Sequence, residues 1–290
     1  MKPVSFNYLK AETIEHAVEL LDQYGDNAKI IAGGQSLIPM MNFRIARPET
    51  LIDIGSIKES NQIIDNGDQI TISSTTKQSF VEESPLIRQE LPVLYESVKH
   101  IGHAQIRNNG TIGGSIVHAD PSAELPAVSL ALDAEYEIVS VNGTSMISAE
   151  DFFITYMTTC LQENEILSNI SFKKPPRLSG WGFQEIARRE GDFALAGSIV
   201  VLGIDLSGKF DYARISLFGV DSTPVRAHDA EQQLIGETFS EQLFSQVAEI
   251  AKETIEPEGD LHGSAGYRKE ICGELTFRAL IEAYERIPSL

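Results

Sequence analysis

Only two cysteines occur in the 290 residues, Cys160 and Cys272. They cannot supply a disulfide framework, and an iron–sulfur cluster normally takes four thiolates, so this chain is expected to build neither. No apolar run approaches the ~18–20 residues that cross a bilayer. The start, Met1-Lys2-Pro3-Val4-Ser5-Phe6, lacks the apolar core of a signal peptide. A cytoplasmic protein with no membrane span is therefore expected. Positive charge is scarce: 23 Lys and Arg stand against 42 Asp and Glu, for a net charge of −19. Such a chain repels polyanions, so nucleic acid is not an expected partner. Any phosphate-bearing ligand must then be held by local backbone N–H groups, against the field of the whole molecule. The common nucleotide and hydrolase motifs are missing too. There is no G-x-G-x-x-G, no G-x-x-x-x-G-K-[ST], no G-x-S-x-G and no H-E-x-x-H, which leaves a Rossmann site, a P-loop, a nucleophile elbow and a zinc helix without support.

What the sequence does contain is an alternation of helix and strand signals. Ile14, Ala17, Val18 and Leu21 fall at helical spacing, with Thr13 placed to cap and Gly25 to stop. Residues 28–32 read as a buried strand, a second helical stretch ends near Ala46, and residues 50–54 form another strand, which together predict a small parallel β-α-β unit. Residues 63–64 and 69–72 read as a hairpin around Asn66-Gly67-Asp68. Helices are expected over 80–88 and 92–102, followed by a polar, glycine-dense loop over 107–115. A further helix is expected through Leu132, with Asp120 as its cap and Pro121 in its first turn. Residues 136–141 and 144–147 form a second hairpin, and 165–172 a strand. Lys173-Lys174-Pro175-Pro176-Arg177 is the best domain boundary. Beyond it, residues 182–189, 194–205 and 210–220 predict an antiparallel meander, and three helical patterns close the chain.

Two glycine pairs sit beside small hydroxyl residues, Gly33-Gly34-Gln35-Ser36 and Thr111-Ile112-Gly113-Gly114-Ser115. Glycine has no Cβ and tolerates positive φ, so successive N–H groups can converge on an anion, and neighbouring hydroxyls add donors. Each pair read alone is more often a tight turn. His100, His103 and His118, with Asp120 nearby, do not make a defined metal-ligand set, and no metal or catalytic residue is assigned. Arg188-Arg189-Glu190-Gly191-Asp192 reads as a solvated turn or as a segment that meets a ligand or a partner.

Taken together, Ala32-Gly33-Gly34-Gln35-Ser36-Leu37-Ile38-Pro39, Gln105-Ile106-Arg107-Asn108, Thr111-Ile112-Gly113-Gly114-Ser115 and His118-Ala119-Asp120-Pro121-Ser122-Ala123-Glu124-Leu125-Pro126 resemble one family. It is the FAD-binding medium subunit of the molybdenum hydroxylases, the group of xanthine dehydrogenase and carbon monoxide dehydrogenase. Residues 183–197 resemble the start of its C-terminal domain, and Leu261-His262-Gly263-Ser264-Ala265-Gly266-Tyr267-Arg268 its tail motif. The resemblance implies an α+β fold. A PCMH-type FAD-binding domain would span 1–176, divided into a small parallel subdomain of about 1–56 and a mixed or antiparallel one of 57–176. A three-stranded antiparallel sheet with a helical bundle would span 177–290.

By matching position, the resemblance implies that Lys29, Ile30, Ile31, Ala32, Gly33, Gly34, Gln35, Ser36 and Leu37 form the first loop around the FAD pyrophosphate. Thr111, Gly113, Gly114 and Ser115 would form the second, with Thr111 and Ser115 as side-chain donors. Ile101 would pack on the flavin or ribityl region, Glu124 would hydrogen-bond the sugar or ribityl end, and Leu167 would lie near the adenine. Gln184 stands where some relatives carry Lys. Gln35 stands where the carbon monoxide enzymes carry His, which argues against that substrate. The implied function is electron transfer: a partner's large molybdopterin subunit hydroxylates the substrate, and a small subunit with [2Fe–2S] clusters delivers electrons to this FAD. An acceptor such as NAD, a quinone or oxygen then takes them, in an assembly expected to be a dimer of heterotrimers. The alternative is a stand-alone flavin oxidase of the vanillyl-alcohol type, although no substrate domain or flavin-linking residue is evident.

Overall fold

The computed structural model describes residues 1–57 and 61–289. The chain opens with a parallel sheet of β1 (Asn7–Lys10), β2 (Ala28–Ile31) and β3 (Thr50–Asp53) in the order β1-β3-β2. Helix α1 (Ile14–Tyr24) joins β1 to β2 and buries Ala17, Val18 and Leu21, the stripe expected from their spacing. The Thr13 hydroxyl accepts the His16 N–H at 3.1 Å, and Gly25, at φ +54°, ends the helix. Strand β1 has no apolar signature, and its pairing with β3 is what makes it a strand. Helix α2 (Leu37–Asn42) joins β2 to β3 and is shorter than the expected stretch to Ala46. Arg44 turns left-handed at φ +58°, and Pro48 disfavours a helical backbone at the residue before it.

The second sheet, in the order β4-β5-β10-β6-β7, is built from β4 (Ile63–Asp65), β5 (Gln69–Ser73), β6 (Glu135–Ser140), β7 (Gly143–Ser148) and β10 (Ile166–Lys173). Both expected hairpins are present, with Gly67 and Gly143 at positive φ in their turns. A small hairpin of β8 (Phe153–Thr155) and β9 (Thr158–Thr159) precedes β10. Where one helix is expected over 80–88 there are two, α3 (Gln78–Glu82) and α4 (Pro85–Glu90). Ser84 caps the second and Pro85 opens it. Helix α5 (Pro92–His100) follows. The stretch expected to be a polar loop is mostly helical: α6 (Ala104–Arg107) and α7 (Ile112–His118) flank a short turn. Helix α8 (Glu124–Ala131) starts at Glu124, not at Pro121. Asp120 instead accepts the Ser122 N–H at 2.9 Å and closes a turn ahead of the helix. Helix α9 (Ala149–Phe152) completes this layer.

The third sheet is the expected meander, β11 (Ser179–Ile186), β12 (Ala196–Ile204) and β13 (Phe210–Phe218). It carries a two-residue edge strand, β14 (Val225–Arg226), beyond the three strands implied. Helices α10 (His228–Leu234), α11 (Glu241–Glu253) and α12 (Ala265–Glu285) cover one face. Strand alternation explains why β12 is apolar almost throughout: Ile199 and Val201 join the core under the second sheet, while Val200 and Leu202 join the core under the helices. Helix α12 lies so close to β11 that a Cβ on Gly182 would stand 2.0 Å from the Ala279 carbonyl oxygen.

Candidate functional site

The first glycine segment lies between the end of β2 and α2. Gly34 adopts φ +70°, and the Gln35 side-chain amide donates back to the Gly33 carbonyl at 3.0 Å. Among the described residues, the N–H groups of Gly33, Gly34, Gln35 and Ser36 donate no hydrogen bond, although none of these residues is fully exposed. A run of unpaired amides on small residues is an anion-binding concavity, because the partial positive charges converge and nothing blocks approach. Lys29, Ile30 and Ile31 run into it along β2, and Leu37 leads out of it as the first residue of α2.

The second segment is built differently. Thr111 caps α7, its hydroxyl accepting the Gly114 N–H at 3.0 Å. The amides of Ile112, Gly113 and Ser115 donate to the carbonyls of Thr76 (2.9 Å), Ser74 (2.9 Å) and Thr111 (3.2 Å). These amides are spent inside the fold, so this segment does not mirror the first as a second row of free donors. The Thr111 oxygen accepts from Gly114 while its own hydrogen stays available to donate, and the half-buried Ser115 hydroxyl is a second donor of this segment. Gly113 serves packing, since a Cβ there would stand 2.4 Å from Ser74 Cβ, whereas Gly114 is exposed.

The two segments touch. A Cβ on Gly33 would come within 2.3 Å of the Asn109 carbonyl oxygen and 2.8 Å of Gly110 Cα. Lys77 Nζ donates to that same Asn109 oxygen at 2.8 Å, so an ammonium braces the junction. Burial pulls its pKa down and the Asp53 charge opposes the shift. Sequence reading did not single out Lys77, since only the Lys77–Thr111 bridge brings it to the loop. A cleft of about 440 Å³ opens beside the junction. It is lined by residues 31–35 together with Ile38, Pro39, Asn42, Ile106 and Tyr8, whose hydroxyl donates to Asp53.

Ile101, Glu124 and Gln184 do not line that cleft. Ile101 follows α5, in a turn fixed by Arg107. This guanidinium forks onto Glu82 at 2.7 and 2.9 Å and donates to the Ile101 carbonyl at 3.2 Å. Gly191, in the turn after β11, packs on this bend: a Cβ there would stand 2.8 Å from the Gly102 carbonyl oxygen. Arg188 of the same turn donates to the His262 ring at 3.1 Å, which joins two segments singled out separately in the sequence. Glu124 is 5 % exposed, and burial, reinforced by the Glu185 charge, pushes its carboxyl up to about 8. Gln184 points the other way, donating to Glu282 on α12 at 3.0 Å. Its neighbour Glu185 is the residue of β11 that acts on Glu124. Leu167 is 2 % exposed on β10, within the core of the second sheet.

Comparison with known proteins agrees with this architecture. The family model described as the FAD binding domain in molybdopterin dehydrogenase matches residues 4–174, and that of the CO dehydrogenase flavoprotein C-terminal domain matches residues 181–283. The chain is 40% identical over 286 residues to the alpha subunit of the 6-hydroxypseudooxynicotine dehydrogenase complex of Paenarthrobacter nicotinovorans, covering 99% of this chain and 97% of that one. It is 36% identical to the carbon monoxide dehydrogenase medium chain of Hydrogenophaga pseudoflava, with 99% of each covered. A solved carbon monoxide dehydrogenase from Hydrogenophaga pseudoflava, lacking the Mo-pyranopterin moiety of its cofactor, superposes with a TM-score of 0.97 at 38% identity. That match covers 99% of this chain and 100% of the other. Quinoline 2-oxidoreductase from Pseudomonas putida 86 gives 0.93 at 32% identity, covering 98% and 99%.

Proposed function

The chain belongs to the FAD-containing subunits of the molybdenum hydroxylase family, and we propose that it is the electron-transfer station of such a complex. In this reading electrons arrive from the [2Fe–2S] clusters of a small partner subunit, after hydroxylation of a substrate on a large molybdopterin subunit. They leave to NAD, a quinone or oxygen. The assembly is a dimer of heterotrimers in the cytoplasm, and the FAD-binding and C-terminal domains divide at about residue 176.

One observation carries the reading: the unpaired N–H groups of Gly33 to Ser36, set in backbone contact with Asn109 and Gly110. They fit a pyrophosphate in a chain whose net charge of −19 offers it no general attraction. Ser115 adds a hydroxyl from α7, which Thr111 holds in place as the cap. Ile30 and Ala32, which pack against the apolar cluster that includes Ile166, bound the adenine end, and Leu167 backs it from the core of the second sheet. Ile101 supplies an apolar contact at the flavin end, and Glu124 accepts from the cofactor's hydroxyls. When bound, FAD can take electrons singly and release them as a pair. The protein's part is to hold it, shield one side and leave an edge open to the partner. Different polypeptides bind the hydroxylated substrate, so its identity is not encoded here.

The test is reconstitution. The purified chain should show flavin absorbance and reduce a dye with NADH or an artificial reductant, but should not turn over a hydroxylation substrate until iron–sulfur and molybdenum subunits are added. Hydroxylation by the isolated chain would overturn this reading in favour of a stand-alone oxidase.

A further inference from the structure

Strand β11 alternates strictly. Phe183 faces the core under the second sheet, its ring 4.6 Å from that of His100, while Gln184 faces α12. Glu185 shares the Phe183 face, and its Oε2 is sealed from solvent with no hydrogen-bond partner among the described residues. Within reach of its charge, at the first turn of α8, Glu124 is 95 % buried; its carboxyl accepts from its own backbone N–H and bonds to no other residue among those described. The next charge acting on Glu124 is another carboxylate, Asp120. No arginine is among the charges acting on Glu124 or Glu185. Among the described residues Arg188 is tied to His262 and Asp192, and Arg268 to the Leu195 and Gly219 carbonyls and Asp260, with its Nε left unpartnered.

Glu124 is buried and Glu185 half-buried with one oxygen sealed off. Among the described residues the pair has no cation and only the Glu124 backbone N–H as a donor, which is costly because each keeps acceptor capacity that water would otherwise satisfy. Burial pushes Glu185 up to about 7, and burial with the Glu185 charge pushes Glu124 up to about 8, in keeping with that shortage of donors. What the pair lacks is hydroxyl hydrogen. A vicinal polyol supplies two or more O–H donors at the spacing of adjacent carbons, and a pair of carboxylates suits it better than one.

We propose that Glu185 is a second carboxylate of the cofactor site, forming with Glu124 a cradle for the hydroxyls of a polyol segment of FAD. The inference rests on the FAD reading above and assigns to Glu185 the contact at this strand that sequence matching placed on Gln184. A contact of this kind trades stability of the empty protein for affinity, which gives it a signature that a purely structural residue would not show.

The experiment titrates FAD and, separately, ADP into the full chain stripped of flavin, for the unaltered protein, Glu185→Gln and Glu185→Leu. Melting temperatures without ligand are measured alongside. Glu185→Gln should melt higher than the unaltered chain, because a half-buried charge with a sealed, unpartnered oxygen is removed, yet bind FAD about tenfold more weakly. Glu185→Leu should bind it more weakly still. ADP affinity left unchanged assigns the contact to the ribityl chain, and an equal loss for ADP assigns it to the ribose; both uphold the cradle. Unchanged FAD affinity in both variants, or melting temperature and affinity falling together, would overturn it. Absence of FAD binding by the unaltered chain would instead remove the FAD reading and this proposal with it.

Discussion

At Gly33 the structure sets a steric limit that the sequence already hints at. The atoms a Cβ would meet there are backbone, at 2.3 Å from the Asn109 oxygen, so no rotamer change relieves the clash and the two loops must part. Gly33→Ala should therefore raise the FAD dissociation constant by about tenfold or more, while the helices keep their far-ultraviolet signal. Fluorescence titration of the flavin-free chain decides it, and unchanged affinity would detach this loop from the cofactor. Glycines are legible in a sequence because no other residue does their work. The role of Glu185 is not legible, because a strand shows alternate residues to opposite faces and an offset of one position exchanges Gln184 for Glu185. Lys77 is hidden for another reason. Its partner is the carbonyl of Asn109, 32 positions on, and a carbonyl has no signature.

Between elements, the strongest polar tie links β14 and α10 to α8. Arg226, its side chain only 6 % exposed, pairs with Glu231 and Asp133 and donates to the Leu130 carbonyl at 2.9 Å. Arg214 reaches Asp133 from β13 at 2.9 Å. Removing one partner of a buried pair leaves the other charged and unsolvated, so Arg226→Met should cost about 3–5 kcal/mol in urea denaturation. The pH dependence follows from Asp133. Burial raises its pKa, but Arg214 and Arg226 together outweigh that and hold the carboxyl below its usual range. Its stabilising contribution is then full above the unfolded-state value of about 3.9 and is lost as pH falls through the lower folded value. The variant's deficit should accordingly shrink in acid, and a deficit that stayed constant to the lowest pH would assign the loss to packing alone. The elements themselves were readable where pattern and cap agree, as in α1, both hairpins and the meander. They were misread where a local hydrogen bond intervenes: Asp120 has the composition of a helix cap, yet its carboxylate closes a turn on Ser122 and α8 starts after it.

The whole molecule does not divide as cleanly as its sequence. Lys173–Arg177 has the charge and consecutive prolines of a free linker, but the structure pins it. The Lys173 N–H donates to the Leu132 carbonyl at 3.0 Å, and Lys174 Nζ lies 2.8 Å from Asp65 and 3.3 Å from Glu90. Phe183, Ala194, Ile199, Val201 and Phe218, all beyond the linker, belong to the same apolar core as Ile70, Leu94, Val128 and Phe172 before it. A boundary read from composition marks where the chain crosses over, and says nothing of how much surface the two halves bury against each other. The proposed cofactor site depends on that burial too, since Glu124 comes from one side and Glu185 from the other. A fragment ending at residue 176 would leave one wall of this core in water, an apolar patch of the kind that drives association. It should elute as aggregate in size exclusion, bind a hydrophobic dye and fail to retain FAD, whereas the full chain should unfold in one cooperative transition. A monomeric fragment that keeps FAD and melts sharply would show that the first 176 residues complete both core and site alone, and the carboxylate pair across the boundary would then have no part in holding the cofactor.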